Sequence, residues 1–286
     1  MVDNRTLLKE IIAVSLTAIG WGILPSLAVG MLLGLLSMNT ATLLDTRFII
    51  LIGFVAQFLG AYLMWQRHKS QLQMIKFSTK VAFKTCVLGS LIGLSAVLIN
   101  WGIITLLGGY KLIFNYQWSY LPVFFLFLIG YTIQAIAEEL ICRGYLMGYW
   151  LEKKRIVLAF LTNSILYVFL HVVNAGFDAY AALSLFLFSI LMSEIRLISG
   201  NIWLCGAINA AWHFSEGIIF GTIVSGFPAI RLFITSTPTS NTQWLNGGVF
   251  GIERGAISIM LLILLIMIVV RLHKHHLLDC NNKVTT

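Results

Sequence analysis

Apolar stretches long enough to cross a bilayer recur along nearly the whole sequence, and nothing else in it constrains the fold as tightly. A helix needs about 20 apolar residues to traverse the hydrocarbon core. Such runs lie at roughly 10–36, 48–65, 84–108, 121–142, 156–173, 179–197, 202–221 and 255–271. Outer-membrane barrels instead show short alternating segments. Backbone facing lipid must satisfy its own hydrogen bonds, so runs of this length fold as helices. The expected fold class is all-α: a polytopic transmembrane helical bundle of about eight spans.

Only 10% of the 286 residues are charged and 59% are hydrophobic, where soluble domains carry about 25% charged residues. No separate soluble domain fits in what remains. The chain divides into N-terminal transmembrane helices (1–120), a central region (121–225), and an outer loop, last helix and tail (226–286).

The net charge of +8 is topological and does not indicate a nucleic-acid partner. With the N-terminus in the cytoplasm and eight alternating spans, fifteen of the 19 Lys and Arg residues fall on the cytoplasmic side. Arg47, Lys111, Arg231 and Arg254 are left outside. This positive-inside bias predicts a multi-pass cell-membrane protein with both termini cytoplasmic. The first apolar run is too long for a signal-peptide core and reads as a retained span.

The connections carry less information. Segment 65–84, with Lys69, Lys76 and Lys80 among apolar residues, reads as a basic interfacial stretch or a solvated loop. Segment 222–251 reads as a flexible outer loop with a Thr- and Pro-rich centre. The tail holds His273, His275 and His276, read as incidental in a disordered end. Cys86, Cys142, Cys205 and Cys280 form no C-x-x-C pair and indicate neither disulfide nor metal framework. Gly30/Gly34, Gly89/Gly93 and Gly144/Gly148 have the spacing of close helix packing.

Ionisable residues within spans are costly and mark function by default. Here they are Glu138, Glu139, His171, Glu194, His213 and Glu216, with Arg143 nearby. Glu194 lies near Arg196 and is explained by an interfacial position. Adjacent Glu138 and Glu139 point about 100° apart on a helix and cannot share one task. Glu139 and Arg143, at i and i+4, can pair. That leaves Glu138 as a buried carboxylate without its own cation, a candidate proton acceptor. A purely structural polar cluster is the competing reading.

Depth allows Glu138 to meet His171. Nothing breaks the helix at Arg143, and Lys153–Arg155 makes the turn into the next helix. Glu138 lies 15 residues before Lys153 and His171 lies 18 after it. At about 1.5 Å per residue the two depths agree within ~5 Å. Further on, Asn209, His213 and Glu216 share one helical face.

These residues resemble the motifs of the CAAX-type intramembrane endopeptidases, the CPBP or Abi family. Its E-E-x-x-x-R matches Glu138-Glu139-Leu-Ile-Cys-Arg143, and its F-x-x-x-H appears as Tyr167-Val-Phe-Leu-His171. Its H-x-x-x-N appears reversed, as Asn209-Ala-Ala-Trp-His213. The resemblance covers about residues 121–225 and makes that region a protease-like catalytic core. It implies that Glu138 and His171 activate a water, that Glu139 and Arg143 hold the site's shape, and that Asn209 and His213 stabilise the oxyanion. It implies a membrane lipid environment and a peptide or protein substrate, either prenylated CAAX-type or a bacterial peptide precursor.

The family's metal dependence is open, and so is a divalent metal such as zinc here, with Glu138, His171 and His213 as candidate ligands. A catalytically inactive immunity or scaffold protein on the same fold stays open as the second class, supported by the reversed motif. A transporter is a third.

Overall fold

The computed structural model describes residues 3–39, 45–69 and 82–284. Most of the basic connection, residues 70–81, lies outside the described residues. In chain order the elements are α1 (Asn4–Asn39), α2 (Thr46–His68), α3 (Ala82–Leu106), β1 (Tyr110–Phe114) and α4 (Leu121–Glu139). A π-helical turn, Leu140–Leu146, leads directly into α5 (Met147–Glu152). Then follow α6 (Ile156–Phe169), α7 (Ala179–Ser199), α8 (Trp203–Phe214), β2 (Ile234–Pro238), the single turn α9 (Gln243–Asn246) and α10 (Ala256–Val284).

The protein is a polytopic helical bundle. Among the described residues, six helical stretches are long and apolar enough to cross a membrane. The helix that starts at Leu121 does continue through Arg143 to Glu152, as the absence of a breaker requires.

Two of the eight expected spans are shorter than the apolar pattern suggests. Helix α6 has 14 residues and α8 has 12. The first ends because the chain turns at 170–176, where Gly176 adopts φ +76°. The second runs on into a π-helical turn, Ser215–Ile219. Both are flanked by other helices, so neither must satisfy the full lipid thickness alone.

Two other expectations are corrected. Segment 222–251 is not simply a flexible loop. Its β2 pairs antiparallel with β1 in a register running from Tyr110↔Pro238 to Phe114↔Ile234. Ile234, Thr235 and Thr237 face Phe114, Ile113 and Lys111 in that ladder, a β-branched and aromatic composition that suits strands. The Trp101 indole donates to Ser236 Oγ (2.9 Å) and Asn115 Nδ2 to Thr235 Oγ1 (2.7 Å), tying the ladder to the bundle. The tail is likewise ordered as helix: α10 extends to Val284, and His273 Nδ1 lies 3.3 Å from Glu194 Oε2.

Helix ends follow local chemistry. Asp178 caps α7 by accepting from the N–H groups of Tyr180 and Ala181. Hydrogen bonds from Arg254 hold its carboxyl below the usual carboxylate range. At the other end of α7, Gly200 takes the left-handed conformation at φ +67°.

Helix α3 packs tightly against α8, and glycine makes it so. A Cβ on Gly89 would lie 2.7 Å from Ala207 Cβ, and one on Gly93 would lie 2.5 Å from the Ile208 carbonyl oxygen. A Cβ on Gly30 would meet nothing within 4 Å. Gly89 and Gly93 therefore have the packing role their spacing suggests, and Gly30 meets no neighbour of that kind. Because α8 carries Asn209 and His213, this contact also sets the position of the site. Gly93→Val is expected to lower the thermal midpoint in detergent by several degrees or to abolish a monodisperse fold. Gly30→Ala should leave it unchanged, and a thermal-unfolding series on the two variants checks the contrast.

Candidate active site

Six residues singled out in the sequence converge in the interior between α4, the turn after α6, and α8. Glu139 and Arg143 are fully buried and form an ion pair of 3.0 Å along one helix. The second guanidinium nitrogen of Arg143 donates to the Ser189 carbonyl (3.2 Å) and to Ser189 Oγ (3.0 Å) on α7. The guanidinium also lies over the Tyr167 ring, 5.0 Å from its centroid. Ser189 in turn donates to Asn163 Oδ1 on α6 (3.2 Å). A buried cation is thus matched by a carboxylate, a carbonyl, a hydroxyl and an aromatic face.

The π-helical turn Leu140–Leu146 contains Arg143. Such widened turns occur often at functional sites, because they redirect side chains without ending the helix.

Glu138, one residue before Glu139, faces elsewhere, as the 100° step requires. Its Oε1 lies 4.0 Å from His171 Nε2. That is too long for a direct hydrogen bond and short enough for both atoms to contact one water. Its Oε2 accepts from Asn209 Nδ2 at 3.1 Å, and the same amide reaches Glu139 Oε1 at 3.3 Å. Gln134 and Tyr167 also interact with the Glu138 carboxylate.

The imidazole of His171 is oriented by its other nitrogen. Nδ1 lies 2.8 Å from the Tyr167 carbonyl oxygen. A carbonyl only accepts, so Nδ1 carries the proton and Nε2 presents a lone pair toward Glu138.

His213 sits one turn beyond Asn209 but has different neighbours. Its Nδ1 lies 3.5 Å from Glu253 Oε1 and 3.8 Å from Glu216 Oε2. Among the described residues, His213, Glu216 and Glu253 are the group of three ligating side chains whose donor atoms lie within 4.8 Å of one another. Glu138 and His171, read from the sequence as metal candidates together with His213, are not in that group. Glu253 is not among the charged residues inside the apolar runs; its sequence signal is a carboxylate in Gly-Ile-Glu-Arg-Gly at the mouth of the last span. Ser189 and Asn163 have neutral side chains and do not stand out by charge.

A cavity of about 530 Å³ connects the Glu138–His171 gap with His213. Glu138, His171, His213, Tyr131 and Gln134 line its polar part, and α1 and α2 supply an apolar wall that includes Leu27 and Phe54.

Residues 118–215 match the family described as type II CAAX prenyl endopeptidase Rce1-like. The matched segment runs from the start of α4 to the end of α8 and contains all six candidate residues, but neither Glu216 nor Glu253. No curated protein and no solved structure matches the chain. The matched segment carries the ion pair and the Glu138–His171 gap, while α1, α2 and residues 224–227 complete the cavity from outside it.

The buried pair gives a direct expectation. Breaking a buried ion pair by removing one partner costs about 3–5 kcal/mol. Arg143→Met should therefore destabilise the bundle by about that amount, measured as reversible denaturation or a lowered thermal midpoint in detergent. Ser189→Ala, which removes one of several acceptors, should cost about 1–2 kcal/mol.

Proposed function

We propose that the protein is an intramembrane endopeptidase that cuts a peptide bond in a membrane-associated substrate, with Glu138 and His171 activating the attacking water. The observation that carries this reading is the 4.0 Å gap between Glu138 Oε1 and His171 Nε2, at the polar end of an apolar-walled cavity. A water held there donates one hydrogen to each acceptor, which leaves an oxygen lone pair free to attack the scissile carbonyl. As the new C–O bond forms, Glu138 takes the proton. When the C–N bond breaks, Glu138 returns it to the leaving amine. The immediate products are a carboxylic acid and an amine, and transfer of the remaining proton between them leaves a carboxylate and an ammonium, so that atoms and protons balance.

Asn209 fixes Glu138 by its donor contact, and the Arg143 pair keeps Glu139 from competing for the water. His213, further along the same helix face, is the donor proposed for the oxyanion. The Rce1-like match and the apolar wall support a substrate with a lipid-like anchor beside the cleaved bond. A prenylated C-terminal peptide is the first choice and a bacterial peptide precursor the second.

A non-catalytic immunity or scaffold role has one observation in its favour. Asn209, at the position of the reversed third motif, is engaged with both carboxylates and not free to bind an oxyanion. Cleavage of a prenylated peptide by full-length protein in detergent separates the readings. Glu138→Gln and His171→Ala should each lower kcat by about 10²–10⁴-fold, the usual contribution of a general acid–base group, with KM changed little. Turnover equal to wild type in both variants would overturn the assignment. Absence of cleavage by the wild type across prenylated and unprenylated peptides would favour the scaffold role.

A further inference from the structure

We propose that His213, Glu216 and Glu253 form a binding site for one divalent transition-metal ion, zinc first among them, distinct from the Glu138–His171 pair. The three side chains come from α8, the π-helical turn after it, and the turn that leads into α10. Their ligand atoms lie within 4.8 Å of one another, with His213 Nδ1 at 3.5 Å and 3.8 Å from the two carboxylates. Zinc–ligand distances of about 2.0–2.2 Å place adjacent donors roughly 3.4 Å apart on a tetrahedral ion. The two His213 spacings are already close to this, and the two carboxylates, within 4.8 Å of each other, draw together around an ion.

The donor atoms are short of partners. His213 Nδ1 and both oxygens of Glu216 are buried and have no hydrogen-bond partner, although the Trp212 indole interacts with the Glu216 carboxylate. Buried polar atoms are otherwise almost always paired. Two carboxylates lie together here, and among the described residues neither forms an ion pair with an Arg or Lys. A divalent ion balances their charge.

Glu253 is oriented for the task. Its Oε2 accepts from the Ser225 N–H (2.9 Å) and the Ser225 hydroxyl, which leaves Oε1 toward His213. Ser225 adopts the left-handed region at φ +46°, rare for a residue with a side chain. This is the supporting layer that positions ligating carboxylates in metal sites. One imidazole nitrogen with carboxylate oxygens suits a borderline ion such as zinc, whereas magnesium and calcium favour all-oxygen shells.

An ion on Nδ1 places the imidazole proton on Nε2. That makes His213 a fixed donor lining the same cavity as Glu138, a consequence that rests on the proposed hydrolysis. The ion would also clasp segment 222–253 to α8.

The test needs no substrate. Full-length protein, stripped with chelator in detergent and carrying no affinity tag, is titrated with Co²⁺ and then Zn²⁺. Visible absorption, elemental analysis and the thermal midpoint are read. One ion per chain is expected, with zinc displacing cobalt and raising the midpoint. Glu216→Gln and Glu253→Gln should each weaken binding at least tenfold. Glu138→Gln, His171→Ala and a variant with Ala at 273, 275 and 276 should bind as wild type does. Should the Gln variants not fold, the wild-type stoichiometry and its persistence in Glu138→Gln decide. No ion on the wild type, wild-type binding by the Gln variants, or loss of the ion in Glu138→Gln would each overturn the site. Binding is independent of turnover, so an inactive protein that holds the ion would sink the hydrolase reading alone.

Discussion

Arg143 is a guanidinium with no exposure to solvent, and the buried polar cluster around it is arranged by the need to hold it. Taking a charge out of water costs several kcal/mol after relaxation, and attraction repays this only when the pairing geometry is good. Glu139, one turn back, supplies the opposite charge, and Ser189 supplies two further acceptors. The same requirement recruits α7 and, through Asn163, α6. Three helices, the one carrying Glu139 and Arg143, α7 and α6, are thereby tied together. Once Glu139 is fixed against Arg143, the backbone turns Glu138 away from the cation and toward α8 and His171.

Helix α8 reaches Glu138 only because α3 lets it come close. A side chain at Gly89 or Gly93 would collide with α8 backbone, and the helix would then stand further from its neighbours. The β1–β2 ladder and Trp101 hold the far end of α3 to the segment that carries Ser225 and Glu253. The site is therefore made by packing at both ends of α8, from residues 118–215 on one side and from residues beyond them on the other.

Much of this was legible in the sequence, for identifiable reasons. Charge is so scarce that Glu138, Glu139, Arg143, His171 and His213 stand out. Helical geometry alone gives the i,i+4 pair and the shared depth of Glu138 and His171. What was not legible depends on partners distant in sequence. Glu253 sits between a polar segment and an apolar span, where a carboxylate attracts no notice until β1 and β2 fold the segment back. The strands themselves hide in a Thr- and Pro-rich stretch that reads equally well as loop. Helices α6 and α8 fell short of their apolar runs because hydropathy counts residues and cannot see a turn such as 170–176. The Asn209 contact with both carboxylates also escaped, since the sequence shows which face the amide occupies and not what lies opposite.

The exchange of Asn and His between positions 209 and 213 becomes coherent once both positions have neighbours. Residue 209 lies against Glu138 and Glu139, and its contact with Glu138 Oε2 leaves Oε1 free toward His171. An amide N–H₂ does this, since one nitrogen bonds both carboxylates. An imidazole there would compete with His171 for Glu138. Residue 213 lies against Glu216 and Glu253, two carboxylates that call for a group able to share a cation or a proton with them. An imidazole nitrogen can either offer its lone pair to a cation or carry a proton toward a carboxylate, and unlike an asparagine amide it changes between the two by protonation. The order Asn then His therefore follows from the two acidic environments one turn apart, and Glu216 and Glu253 are the residues that make the inversion consistent.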